Sequence, residues 1–185
     1  MDEWSRKIGG MKTLIDAGMC RVGPRLEAAS PEDGALVHGA GRALALSDAA
    51  LALCRAGRPN EALPLLRELA GMGASMRWIT TQDRSLRAKT VFAEREGSGW
   101  DRLWSDERLI SRAREAGCLD DARVILGLCS AFIEGAESTL PWAHVFARTR
   151  RSAPAVEQVL GLVACWMGHV ISALDARWPG DFPQG

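Results

Sequence analysis

Several motifs that would assign a function directly are missing from this sequence. It has no P-loop, no glycine-rich dinucleotide fingerprint and no HExxH motif. Lysine occurs only three times, so arginine supplies nearly all of the positive charge, as is typical of a protein from a GC-rich genome. Basic and acidic residues number 23 each, so no net charge attracts the chain to nucleic acid or to an anionic membrane. We therefore expect neither as a partner.

The five cysteines contain no CxxC pair, and their number is odd. Both facts argue against a disulfide framework and against a zinc knuckle. Cys54, Cys129 and Cys165 lie within apolar helical runs, where a thiol behaves as a small hydrophobe. The N-terminal residues also lack the pattern of a secretory signal. The sequence therefore predicts a reduced, cytoplasmic protein.

Histidine is scarce as well, with His38, His144 and His169 only. Carboxylate-bridged metal bundles need Glu-x-x-His on facing helices, and neither His144 nor His169 has a carboxylate three positions before it. The sequence therefore predicts no metal centre and no cofactor.

No segment combines β-branched residues with alternating polarity, so the predicted fold is all-α. We expect a single bundle of six or seven helices in antiparallel hairpins over residues 1–185, with its core at about 35–178. The predicted helices span about 3–20, 35–55, 59–80, 83–96, 101–116, 119–137 and 155–178.

Two glycines mark the predicted hairpin turns, Gly57 in "AGRPNEAL" and Gly117 in "REAGCLDDA". These stretches resemble the helix-turn-helix of tetratricopeptide repeats. The two glycines are 60 positions apart, however, whereas such repeats recur every ~34 residues. We therefore predict two hairpins within a bundle and not a repeat array.

The third predicted helix contains an arginine, Arg77, inside its apolar arc, while Arg67 and Glu68 lie on the opposite side. Arg77 could bind a ligand, neutralise a buried acid or hold two helices in register. Asp48 is a candidate partner, but counting from the turn places it roughly 16 Å away along the helix axis. The alternative is that Arg77 reaches solvent or carbonyls at a helix C-terminus.

The last predicted helix includes 17 consecutive residues without formal charge, 158–174. This length is the lower limit for a membrane span. Gln158, His169 and Ser172 interrupt the run, and basic residues do not flank both ends, so we expect a buried core helix.

Small residues form a stripe on this helix, at Gly161, Cys165, Gly168 and Ser172. Such a stripe permits close approach of another helix of the bundle or of a second subunit, or it lines a ligand cavity. We keep self-association through this helix, as a homodimer, among the expectations. Cys165 and His169 lie one turn apart and could form a nucleophile and base, but such a pair often occurs by chance on a helix, and we favour core packing as its explanation.

A turn over residues 136–152, "AESTLPWAHVFARTRRS", presents His144 followed by Arg148, Arg150 and Arg151. It could cover a pocket, with His144 as proton donor and an arginine binding an anion. The alternative is a capped connection whose basic residues face water.

The order "ALPLLRELAGMGASMRWI", then "RSLRAKTVF", then "LCSAFIEGAESTLPWAH" before a long final helix resembles a bacterial all-helical family of unknown function. The resemblance covers residues 36–178. It implies that Arg67, Glu68, Ser130 and His144 are functional positions, without supplying an activity. Helical-bundle nucleases of toxin and antiphage systems carry Arg followed four to six residues later by His, and no histidine here has that spacing.

These patterns support a non-catalytic helical binding or interaction module of unknown ligand, with a small anionic ligand as one possible partner and with Arg67, Arg77, Ser130 and His169 as its binding residues. The alternative is an enzyme acting on a small anionic substrate. In that case His144 or Glu68 would be the acid/base group and an arginine would hold the anion.

Overall fold

The computed structural model describes residues 2–26, 30–97, 105–136 and 155–183, with side chains inside helices described except at 94–97 and 130–136. In that part of the chain there are seven α-helices and no strand, which confirms the all-α bundle. The helices are α1 Asp2–Val22, α2 Pro31–Arg55, α3 Leu63–Thr81, α4 Arg84–Gly97, α5 Asp106–Glu115, α6 Leu119–Ala136 and α7 Val156–Arg177. A short 3-10 turn, Gly23–Arg25, follows α1.

The helix ends follow local capping chemistry, and the starts of α2, α3 and α5 differ from the sequence prediction by four or five residues. α2 begins at Pro31, four residues early, because the Ser30 hydroxyl accepts a hydrogen bond from the Asp33 amide at 3.3 Å. α3 begins at Leu63, since residues 59–62 form a turn instead of the first helical turn. α5 begins at Asp106 instead of about 101, because the Ser105 hydroxyl accepts a hydrogen bond from the Arg108 amide at 3.4 Å and caps the helix there. The remaining described ends lie within a few residues of their predicted positions.

Both predicted turn glycines adopt left-handed backbone angles, with φ of 71° at Gly57 and 72° at Gly117. The amide after each glycine returns to the helix it ends, with Arg58 donating to the Leu53 carbonyl at 2.9 Å and Cys118 to the Ala113 carbonyl at 2.8 Å. Each glycine thus closes a helix with a Schellman turn and reverses the chain.

The core lies around α3 and α7, which pack most extensively against each other. α2 covers both of them, α1 packs on α7, and α4, α5 and α6 pack on α3. The fully buried Trp166 of α7 lies against Gly73 of α3, where a Cβ would meet the indole ring at 3.0 Å. Buried apolar area of this kind is the main source of stability in a bundle.

The small-residue stripe of α7 has its neighbour in the same chain. A Cβ at Gly161 would lie 3.5 Å from the Trp4 ring, and one at Gly168 would lie 3.7 Å from the Met11 methyl group. Of the three neighbours considered from the sequence, a helix of the same bundle is the one observed over this stripe.

One described helix, α7, is long and apolar enough to cross a membrane by length and composition. Ten of its residues belong to the buried core, and 56% of its most apolar window is buried inside the bundle. A core helix of a water-soluble protein passes the same test, so this finding is weak evidence for a span. α7 is thus buried in the bundle as a core helix, as expected from the sequence.

Candidate functional site

Arg67 and Glu68, two of the predicted site residues, make ion pairs at the surface. Arg67 pairs with Asp106 at the start of α5, and Glu68 accepts a hydrogen bond from Arg42 of α2 at 2.8 Å. The hydrogen bond with Glu68 raises the pKa of Arg42, although burial opposes the shift. The two pairs link α3 to its neighbours on either side. The described hydrogen bonds of Arg67 and Glu68 go to Asp106 and Arg42, and that of His169 goes to Asp121, so the structure does not bring these predicted residues together.

Arg77 is half-buried, and its guanidinium donates to the Ala116 carbonyl at 3.0 Å. That carbonyl belongs to the residue that caps α5, so the charge lies at the negative end of a helix dipole. Asp48, the candidate partner, instead pairs with Lys12 of α1. Arg77 therefore reaches helix C-terminal carbonyls, as in the alternative interpretation, although the helix is α5 and not its own.

Among the described residues, the most buried arginine is Arg112 of α5, which the sequence analysis missed. It is only 5% exposed, and its guanidinium donates to the Ser75 hydroxyl at 2.9 Å. The guanidinium carbons of Arg112 and Arg87 lie 5.3 Å and 4.6 Å from the centroid of the Trp78 ring. Projecting α5 as a helix would have found Arg112, because it shares an apolar face with Leu109 and Ala113.

For two further predicted residues, Ser130 and His144, the structure describes no side chain. Nothing is described of the Ser130 side chain, and His144 falls within residues 137–154 with the rest of the basic turn. Their assignment stays a prediction.

His169 forms the most concentrated group of potential ligand atoms in the described residues. Its Nε2 lies 2.8 Å from an oxygen of Asp121 in the first turn of α6, and Cys165 is one turn earlier on α7. The three donor atoms all lie within 4.8 Å of one another. α6 and α7 each pack on α3 more than on each other, so these side chains bridge the two helices. We call Asp121, Cys165 and His169 the bridging cluster.

Burial and neighbouring charges affect the pKa of the Cys165 thiol in the bridging cluster and of the nearby Cys118 thiol. Burial and, to a smaller extent, the neighbouring Asp121 raise the pKa of the Cys165 thiol to about 11, against the opposing effect of Lys7 of α1. Burial also raises the pKa of Cys118 to about 11, against the opposing effect of Arg77. Lys7 thus interacts electrostatically with a member of the cluster, whereas Arg77 acts on Cys118. Both thiols are protonated at neutral pH, which is unlike an activated nucleophile.

The His169 ring is held by packing as well as by its hydrogen bond. The Trp166 ring centroid lies 4.8 Å from it at an interplanar angle of 53°, and Trp166 is itself fully buried. A rigid neighbour and an acceptor together restrict the imidazole, as in preorganised binding sites.

Comparisons of the chain with protein-family models, with curated proteins and with solved structures give no match. The resemblance to a bacterial all-helical family therefore stays a prediction.

Proposed function

We propose that this protein is a non-catalytic helical binding module whose ligand site is the bridging cluster. The observation that carries the proposal is the convergence of Asp121, Cys165 and His169 from two helices. His169 was a predicted binding residue. Arg77, another of them, interacts electrostatically with Cys118, which in turn interacts with Cys165 of the cluster. Arg67 and Glu68 belong to a separate surface of α3.

The preference for binding over catalysis rests on how the candidate acid/base groups are occupied. The Glu68 carboxylate accepts from the Arg42 guanidinium, and a paired carboxylate is a poor base. The described contact of the His169 imidazole is with Asp121. A carboxylate partner is compatible with an imidazole base, but burial raises the pKa of the Cys165 thiol to about 11, so this thiol is not an activated nucleophile. The geometry thus supports recognition of a ligand by fixed polar groups.

The predicted homodimer and cytoplasmic location complete the proposal. Since α1 covers the small-residue stripe of α7, a second subunit would have to contact α7 elsewhere or displace α1. Sedimentation of the full chain at micromolar concentration measures this directly, and a monomer at every concentration would contradict the dimer.

Thermal unfolding of the full chain tests the proposed site. The ligands would be inorganic phosphate, small carboxylates, nucleoside monophosphates and divalent metal ions, each tested separately. A ligand at 100 times its Kd stabilises a protein by about 2.7 kcal/mol, or roughly 5–10 °C for a chain of this size. We expect at least one class to raise the Tm of the wild type.

Matched variants locate the effect. His169→Gln and Asp121→Asn should lose the stabilisation, while Glu68→Gln should retain it. If Glu68→Gln loses it and His169→Gln retains it, the site is the α3 surface. If no ligand raises the Tm, the binding-module proposal falls.

A further inference from the structure

We propose that the bridging cluster binds a divalent transition metal ion, best represented by Zn²⁺, through a carboxylate oxygen of Asp121, the sulfur of Cys165 and a ring nitrogen of His169. This inference rests on the proposed function, because it names the ligand of the same site. It departs from the sequence-based expectation of no metal. That expectation considered Glu-x-x-His pairs, whereas here the ligands come from Asp121 and from Cys165 and His169 one turn apart.

The geometry fits a tetrahedral site. Metal–ligand distances of about 2.0–2.3 Å for oxygen, nitrogen and sulfur imply ligand atoms roughly 3.3–3.8 Å apart. The donors observed here range from 2.8 Å, between His169 and Asp121, to at most 4.8 Å. The donor atoms therefore need to shift by only about 1 Å or less to accommodate the ion. Side-chain rotation supplies a shift of this size, so α6 and α7 can keep their positions.

The chemistry of the donor set selects the metal. One sulfur, one imidazole nitrogen and one carboxylate oxygen suit Zn²⁺ and Co²⁺, whereas Mg²⁺ and Ca²⁺ prefer oxygen ligands alone. On binding, Cys165 releases its thiol proton to solvent. The His169 ring nitrogen that coordinates the ion gives up its hydrogen bond with Asp121, and the remaining ring proton is carried by the other nitrogen. The thiolate and the carboxylate then balance the two charges of the ion.

Three protein ligands leave one tetrahedral position open. Water or a small anion in solution can take this position. Cys118 is not among the three donors within 4.8 Å of one another. We therefore assign it no bond to the metal.

Cobalt titration of the full chain, stripped of metal and kept reduced, tests the assignment. Co²⁺ should bind with one-to-one stoichiometry and produce sulfur-to-cobalt charge-transfer absorption, which added Zn²⁺ should abolish and Mg²⁺ should leave unchanged. Cys165→Ser should lose the charge-transfer absorption. Asp121→Asn and His169→Gln should weaken binding by at least about 10-fold.

Cys118→Ser is the matched control, because it removes a neighbouring buried thiol outside the donor set, and it should keep the spectrum and stoichiometry of the wild type. Wild-type protein that binds no Co²⁺, Cys165→Ser with an unchanged spectrum, or Cys118→Ser without the spectrum would each overturn the inference. If metals fail to bind but inorganic phosphate still stabilises the protein through His169, the binding module stands with another ligand. If neither binds, both proposals fall.

Discussion

A buried guanidinium keeps its charge, so every arginine inside this bundle must find acceptors. Arg112 finds one in the Ser75 hydroxyl, whose own proton goes to the Gly71 carbonyl at 2.7 Å. The Ser75 hydroxyl thus links the guanidinium of Arg112 on α5 to the backbone of α3 through two successive hydrogen bonds. The polar groups at this seam are linked, so removal of one affects the others.

Ser75→Ala should lower the free energy of unfolding by about 1–3 kcal/mol, because it takes an acceptor from a buried charge. Ser47→Ala is the control, since Ser47 is equally buried but its described hydrogen bond goes only to the Leu44 carbonyl of its own helix. Urea denaturation of both variants measures the difference. Equal losses would contradict the linkage to Arg112.

Arg77→Met should lower the free energy of unfolding by about 0.5–1.5 kcal/mol, because the Ala116 carbonyl loses a charged donor at the C-terminus of α5. Arg77→Lys should recover part of the loss, since it restores a cation at that end. A full loss of stability without recovery by lysine would show that the planar guanidinium is required. An unchanged stability in Arg77→Met would remove the structural role.

At the scale of elements, α1 packs against residues 178–183, which follow α7 and are called the tail below, as well as against α7 itself. The fully buried Phe182 ring lies against Gly18, where a Cβ would overlap it, and Asp181 pairs with Arg25 just beyond α1. The tail thus continues the packing of α7 after the helix has ended.

Gly18→Ala should therefore destabilise the protein by about 1–3 kcal/mol through overpacking, despite alanine's better helix propensity. Gly10→Ala on the same helix should instead stabilise it by up to about 1 kcal/mol, because nothing lies within 4 Å of the added Cβ. Thermal unfolding distinguishes the two. If both substitutions stabilise the protein, the packing of the Phe182 ring does not require the absence of a side chain at Gly18.

Most elements could be predicted because their signals are local. Turn glycines, apolar periodicity and the breaks between helices identify all seven described helices, and their ends lie within a few residues of prediction except for the starts of α2, α3 and α5. The bridging cluster could not be predicted in the same way. Asp121 is 48 positions from His169 along the chain, and only the packing of α6 and α7 on α3 brings them together. Long-range contact of this kind has no local sequence pattern.

At the scale of the whole molecule, alkaline pH acts mainly through thiols. The chain has no tyrosine and only three lysines, and burial raises the pKa of Cys54, Cys118, Cys129 and Cys165. The folded protein therefore holds protons that the unfolded chain releases. Its free energy of unfolding should fall as pH rises from about 9 through about 11.

Cys118 alone should account for up to about 2–3 kcal/mol of this fall, given its pKa of about 11 in the folded protein and 9.0 as the ordinary value. Urea denaturation between pH 7.5 and pH 10.5, with a chelator present, should show a steeper decline for the wild type than for Cys118→Ala. Parallel declines would mean that this thiol is not kept protonated by the fold.

Four of the five thiols are covered by the bundle to some degree, and Cys20 near the end of α1 is the exposed one. A maleimide fluorophore should consequently label the native protein selectively at Cys20. That dye would lie two residues from the place where the tail meets α1, so its emission could follow detachment of the tail in real time.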